Sequence, residues 1–370
     1  MKEQNNPFRG QRIEFHILQS FPVTCLNRDD VGAPKTAVVG GTLRARVSSQ
    51  CWKRQVRLAL HEMGTVIGIR TKLISALIAD ECRNLGATPE QAAQCGEAAA
   101  TYFGKVDDGM NDTLMFVTHM EAKAVAQAFA NIKWTVAKVD KESDKKKSKE
   151  EKAEAKKAQV QIEKIMKDAV NLAVDGLDVA LFGRMVASAP TMNIEAASSF
   201  AHAISTHRVS NEVEFFTALD DNKEEQGSAH MGSLEFNSAT YYRYVSLDLG
   251  QLWTNTAGSN MVASVEAFAK ALFVAVPAAR QTTMSGASPW DFARIIVRKG
   301  QRLQMSFEKA IRPENGSILE PSITALTTYL DKHKKLWGSL FGELGMIEYG
   351  ENKGIDDVVS FLKTQVVKVA

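Results

Sequence analysis

Between Cys25 and Leu60, seven cationic side chains crowd one segment: Arg28, Lys35, Arg44, Arg46, Lys53, Arg54 and Arg57. Gly40 and Gly41 sit among them, and Ser48, Ser49 and Gln50 precede the last three. Guanidinium forks, ammonium groups, hydroxyls and the free N–H groups of a helix start are the donors that bind a run of phosphates. Residues 1–60 hold ten Lys or Arg against four Asp or Glu, a net +6, whereas the whole chain is only +2. The positive charge is concentrated, as an electrostatic footprint for nucleic acid requires. Arg44 and Arg46 alternate on an extended stretch, and Lys53, Arg54 and Arg57 fall about one helical turn apart, so two elements can present cations to one groove. The plainer alternative is a solvated basic loop and helix face.

Asp29 and Asp30 lie in the same segment. Adjacent carboxylates near phosphate could hold a divalent metal for hydrolysis. They could instead pair with Arg28 or Arg44 and set the loop's shape. No further acidic or histidine cluster completes a two-metal site, and no cofactor or metal is expected. A Gly-Lys-Ser/Thr phosphate loop is missing from the sequence, which argues against nucleotide hydrolysis. The four cysteines have no CxxC spacing, and His61-Glu62 lacks a second histidine, so a zinc site is not expected.

Other residues carry open alternatives. Phe215-Phe216 lies in a polar stretch and could wedge between bases, or anchor a loop on its own core or on a neighbouring subunit. Met185, in a Gly-Arg-Met turn, has the same ambiguity. His202 and His207 read as core or hydrogen-bonded strand residues. Lys138–Lys157 is a charged tract of nine Lys and six acids, with Lys145, Lys146, Lys147 and Lys149 locally dense. It is either a solvated stretch or a secondary phosphate contact.

An apolar content of 45% and a charged content of 24% suit a globular protein, and no apolar run reaches the length of a membrane span. The N-terminus lacks a signal-peptide core, so a cytoplasmic location is expected, with no membrane partner. Residues 12–18 alternate as a half-buried strand. Ser48 or Ser49 caps a helix to about Met63. A helical block follows, with Thr88-Pro89 as a helix start and a helix over 112–131. Residues 198–207 and 238–249 read as strands, 261–276 as a helix ended by Pro277, 293–298 as a strand, and the last seventy residues as mostly helical. Without the insertion the order is β-α-β-β-α-β, the ferredoxin-like plan shared by RNA-recognition modules. Their glycine-aromatic signature is missing from the Tyr241–Val245 stretch, so loops and insertions, not a bare sheet face, are expected to carry any RNA contact.

Taken in order, CLNRDD, GGTLRARVSSQ followed by WKR, LFGRM, SFAHAISTH, FFTALDD and QGSAHMGSLEFNSATYYRYV make the chain resemble a known family over residues 12–300. The family it resembles is the backbone subunit (CasC family) of the type I-E CRISPR complex Cascade. The resemblance implies an α+β fold shaped like a right hand. A ferredoxin-like, RRM-like palm would span 1–63 and 183–310, with a thumb-like β-hairpin at about 190–235. Helical fingers would fill 64–182, and a helical C-terminal segment 311–370. It implies a non-catalytic scaffold whose copies stack head to tail on guide RNA, while base pairing reads the target DNA. Its partners would be the CRISPR guide RNA, target DNA paired to the guide, further copies of the chain, and the large, small, 5'-end and 3'-end guide-processing subunits of Cascade.

By position, Arg28, Lys35, Arg44, Arg46, Ser48, Ser49, Gln50, Lys53, Arg54 and Arg57 would grip guide phosphates. Met185, Phe215 and Phe216 would flank kinked nucleotides, and Lys145, Lys146, Lys147 and Lys149 would face DNA. Thr42 stands where the family has a basic residue, and Phe215-Phe216 where it has Trp-Phe. Related backbone subunits cut target RNA with a loop aspartate, which leaves a metal-dependent ribonuclease acting through Asp29 or Asp30 as the alternative.

Overall fold

A computed structural model describes residues 6–136, 160, 162–164, 166, 175–187, 189–219 and 228–369. The fold is mixed α+β, with an antiparallel sheet and several helices. The chain divides into two compact units, one of residues 1–64, 198–250 and 261–370, the other of 65–197 and 251–260. Residues 183–197, expected with the palm, therefore fall in the second unit, and 311–370 is part of the first. Among the described residues, no helix is long and apolar enough to cross a membrane.

The first unit is built on one large sheet. Its central strand β1 (Gln11–Thr24) pairs on one side with Phe292–Lys299 and on the other with the long strand Ser228–Asp248. The short strands Ser198–Phe200 and Ala203–Ser205 pair with the far edge of the long strand. A hairpin of β2 (Thr36–Val39) and β3 (Thr42–Val47) continues the sheet, with β3 beside Ala203–Ser205. Helix α1 (Ser49–Glu62) follows β3 at once. The elements expected for the β-α-β-β-α-β order occur as β1, α1, the 198–205 strands, the long strand, helix Met261–Val274 and strand Phe292–Lys299, with β2, β3, the strand Glu212–Leu219 and short helices added between them.

Alternation decides which β1 residue faces which layer. Phe15 meets Phe268 of the Met261–Val274 helix edge-on, with ring centroids 6.0 Å apart. That helix packs against α1 and against the C-terminal helix Ile355–Val367. Glu14, His16 and Leu18 point to the other layer. The sequence pattern promised a half-buried strand, but both faces are covered: Glu14 and His16 are 0% exposed. Leu18, Tyr242, Tyr244 and Ile296 form a core there with Leu326 and Leu330 of helix Leu319–Trp337 and with Leu303 and Phe307.

Leu303 and Phe307 belong to an irregular strap, residues 300–318, that crosses this face. Leu303 N–H donates to Glu14 Oε1 (2.9 Å), Met305 N–H to the Tyr242 hydroxyl (3.3 Å), and Ile311 N–H to the Thr206 carbonyl (2.9 Å). The buried charge is matched: Arg298 Nη1 lies 3.1 Å from Glu14 Oε2, and its guanidinium faces the Trp337 and Phe341 rings at 5.2 and 4.4 Å. Such an arrangement replaces lost hydration with directed partners. The C-terminal segment also departs from the helical expectation, because Glu343–Tyr349 adds an edge strand beside Phe292–Lys299.

The second unit is mainly helical. Helices Ile74–Asn84, Pro89–Phe103 and His119–Asn131 share a core of Ile78, Cys82, Cys95, Val125 and Phe129. Thr88 and Thr118 each close a capping box. The helix expected over 112–131 splits into the strand Met115–Val117 and the helix from His119, since Thr118 caps the latter. Glu121 of that box also binds Arg184 through two oxygens, at 2.7 and 2.8 Å, with both residues 6% exposed. This pair ties residue 184 to the helical unit and explains why the boundary lies past 183.

His16 gives the fold a pH signature. Burial, then Arg298 and Arg294, hold its pKa down at about 3, against 6.5 for the free side chain. The unfolded chain therefore binds a proton that the folded one refuses. His16 contributes stability above pH 6.5 that is lost as pH falls toward 3, at up to ~1.4 kcal/mol per pH unit. Urea midpoints measured between pH 7 and 5 should show His16→Asn with a shallower pH slope than the parent; parallel slopes would refute the assignment.

Candidate nucleic-acid interface

The start of α1 organises the basic segment. Ser48 is its N-cap, and the hydroxyl accepts from Cys51 N–H at 3.3 Å. Ser48 N–H donates to Asn27 Oδ1 (2.9 Å), while Asn27 O accepts from Lys35 N–H (2.8 Å). Asn27 therefore ties the 27–35 loop to the helix start. Trp52, Val56, Ala59 and Leu60 are the buried residues of α1. Gln50 and Arg54 are exposed on it, and Ser49, Lys53 and Arg57 are half-buried. The inner face is anchored by Arg243, whose guanidinium stacks 3.6 Å over Trp52 and donates to Gln19 Oε1 (2.5 Å). Burial lowers the Arg243 pKa to about 9.

Two groups of basic side chains result, the second balanced by two carboxylates. In the first, Lys35, Arg46 and His202 lie around Ser49. Arg46 Nε donates to Thr36 O at 3.2 Å, and Ser49 N–H donates to His202 Nδ1 at 3.3 Å. Partial burial, then Arg46 and Lys35, hold His202 below the usual imidazole pKa, so its ring stays a neutral acceptor there. Lys53 Nζ lies 5.8 Å over the Phe200 ring, and desolvation lowers its pKa. In the second, Arg28 and Arg54 line an open cleft of about 610 Å³ with Asp29, Asp30, Gln55 and Ala279.

Arg44 does not join either group. It is 0% exposed, and its guanidinium donates to the carbonyls of Ser205 (2.8 Å), Phe307 (3.1 Å) and Glu308 (3.3 Å). Its expected place among the phosphate-gripping residues does not fit this geometry: the guanidinium is buried and both Nη atoms are spent on carbonyls inside the fold. Asp29 is also occupied. Its Oδ1 accepts from Val31 N–H (3.0 Å) and Ala33 N–H (2.9 Å), an Asx-type turn that sets the loop through backbone donors and not through the expected pairing with Arg28 or Arg44.

Phe215 and Phe216 lie on the hairpin formed by Glu212–Leu219 and the outer part of the long strand. The hairpin starts at Glu212, because residues 198–205 are spent on the sheet. Adjacent strand residues point to opposite faces, so the two rings are not one wedge. Phe216 lies across Gly232, where a Cβ would come within 2.5 Å of its ring. Phe215, 78% exposed, shares the other face with Val213 and Met231, both also exposed. Met185, 80% exposed, belongs to the second unit and follows the braced Arg184. Lys145, Lys146, Lys147 and Lys149 lie outside the described residues. Sequence reasoning passed over Asn27, Val213 and Met231, and set His202 down as a strand residue. The period-two pattern around Phe215 was the available signal for Val213, whereas Asn27 had none beyond its type.

No curated protein matches the chain. Among solved structures it resembles a chain titled "CRISPR RNA-guided surveillance complex, pre-nicking", with a TM-score of 0.73 and 27% identity, covering 95% of this chain and 99% of that one. A second, titled "CRISPR RNA-guided surveillance complex", shares the fold at a TM-score of 0.56 and 24% identity over 95% and 99% of the two chains. The Cas_CT1975 family model, described as "CT1975-like protein", matches residues 13–354, and the protein therefore belongs to that family.

Proposed function

We propose that this chain is a subunit of a CRISPR RNA-guided surveillance complex, and within it a non-catalytic backbone subunit that binds guide RNA. By its motifs it is of the type I-E Cascade kind. Copies stack head to tail along the RNA and leave its bases free to pair with target DNA. The cationic ridge at the β3–α1 junction carries the reading. Lys35, Arg46 and Lys53 gather there around the helix start, with Arg28 and Arg54 beside the same helix. These are phosphate-binding groups with no base-reading element among them, so binding is independent of sequence and falls steeply with salt. The similarity to a surveillance-complex chain over 95% of the length supports the same reading. The exposed Phe215, Val213 and Met231 give the hairpin an apolar face that can lie against unstacked bases. The alternative is a metal-dependent ribonuclease acting through Asp29 or Asp30, of which Asp29 has its Oδ1 engaged by the loop turn.

Lys53→Glu and Arg54→Glu should each weaken binding of single-stranded RNA about tenfold or more at low salt. Binding and particle assembly should fail together on native gels, and parent-like binding by both variants would refute the ridge. The two β3 arginines should separate cleanly. Arg46→Gln should lose RNA affinity with an unchanged urea midpoint. Arg44→Met should lose about 2–4 kcal/mol of stability, because it strands the buried carbonyls of Ser205 and Phe307 and frees that of Glu308. The reverse pattern in binding and denaturation curves would overturn the sorting.

A further inference from the structure

We infer a second phosphodiester-binding site at the opposite end of β3, in the cleft between the β2–β3 turn and the strap, formed by Arg208, Lys309 and Arg312. It rests on the reading of this chain as a nucleic-acid binder and extends it to residues outside the basic N-terminal segment. The cleft measures about 620 Å³, and Gly40, Thr42 and Glu308 also line it. All three cations are exposed. None has an ion-pair partner among the described residues. Glu308 is the one carboxylate among the described lining residues, so the cleft carries an excess of positive charge. Two guanidinium forks and an ammonium suit phosphate oxygens.

The backbone under these cations is fixed before any ligand arrives. Arg44 holds the Phe307 and Glu308 carbonyls from within. Gly40, at φ +57°, presses against Glu308, where a Cβ would lie 2.0 Å from the carbonyl oxygen. His207 locks the other wall: Nδ1–H donates to Arg208 O (2.8 Å), and Nε2 accepts from Thr240 N–H (3.2 Å). Val209 N–H donates to Leu43 O (3.1 Å), and Ile311 N–H to Thr206 O (2.9 Å). A preorganised cationic cleft loses little ordering entropy on binding.

Position selects the ligand. Thr42 and Arg46 share a face of β3 and stand about 13 Å apart at ~3.3 Å per residue. Cations therefore occupy both ends of one strand, a spacing that a phosphodiester chain spans and a single small anion does not.

The test is the variant Arg208→Gln/Lys309→Gln/Arg312→Gln, all at exposed positions, with its urea midpoint compared with that of the parent. Binding of labelled single-stranded homopolymers, one RNA and one DNA of equal length, is measured across a salt series. The magnitude of the log–log salt slope should drop by about two, at ~0.7 per phosphate for single strands. Loss on RNA alone assigns the site to the guide strand, and loss on both makes it indifferent to the sugar. Parent-like affinity and slope, beside a weakened Lys53→Glu control, would overturn this site and leave the proposed function standing. Lost self-association with unchanged RNA binding would make the cleft a protein contact and overturn it too. A parent that binds neither homopolymer would overturn both.

Discussion

A guanidinium removed from water must find directed partners, and that demand organises this protein. Arg44 sits in the middle of β3, turned inward, and binds three carbonyls from two separate segments. It joins the β2–β3 hairpin to the strap and to the Ala203–Ser205 strand in one contact set. Breaking such a set leaves acceptors stranded in a site water does not reach, which costs more than the bonds themselves contribute. Arg243 and Arg298 are buried on either side of the sheet, Arg298 with one carboxylate partner on Nη1 and two aromatic rings facing its guanidinium. Arg243 stacks on Trp52 and fixes α1, while Arg298 meets Glu14 and fixes the layer under Leu319–Trp337.

These internal arginines define where function can reside. The sheet face that RNA-recognition modules leave open is closed here by the strap and a helix, with Tyr242 and Tyr244 beneath them. On the proposed reading, nucleic acid meets the rims: the α1 start, the Arg28–Arg54 cleft and the outer hairpin. The same contacts that close the face hold those rims still. Asn27 joins loop to helix, and Trp52 under Arg243 seats the helix that carries Lys53 and Arg54. Rigid placement suits the proposed scaffold role, since phosphate contacts on a fixed surface need no reordering of the protein first.

Much of this was legible in the sequence. Ser48 as a cap, Thr88 before Pro89, and the aromatic strand around Tyr241–Val245 all follow from local chemistry, and all are present. Motif resemblance reached the family-level reading. What stayed hidden was burial by distant segments. Nothing near Arg44 or Glu14 says that residues 303–308 will lie over them, so one read as a surface cation and the other as the wet side of a strand. The pair Phe215-Phe216 failed as a unit because strand alternation separates neighbours, a rule available from the sequence once the hairpin is assumed. The edge strand Glu343–Tyr349 was missed because Gly342, Gly345 and Gly350 break its pattern, and pairing with Phe292–Lys299 supplies what propensity lacks.

The central claim is that the chain coats RNA through its rims without cutting it. Titration of the purified protein into end-labelled RNA with magnesium, resolved on native and denaturing gels, addresses it most directly. Stepwise shifts over intact RNA are the predicted result. Regularly spaced shortened products, or no shift at low salt, would contradict it.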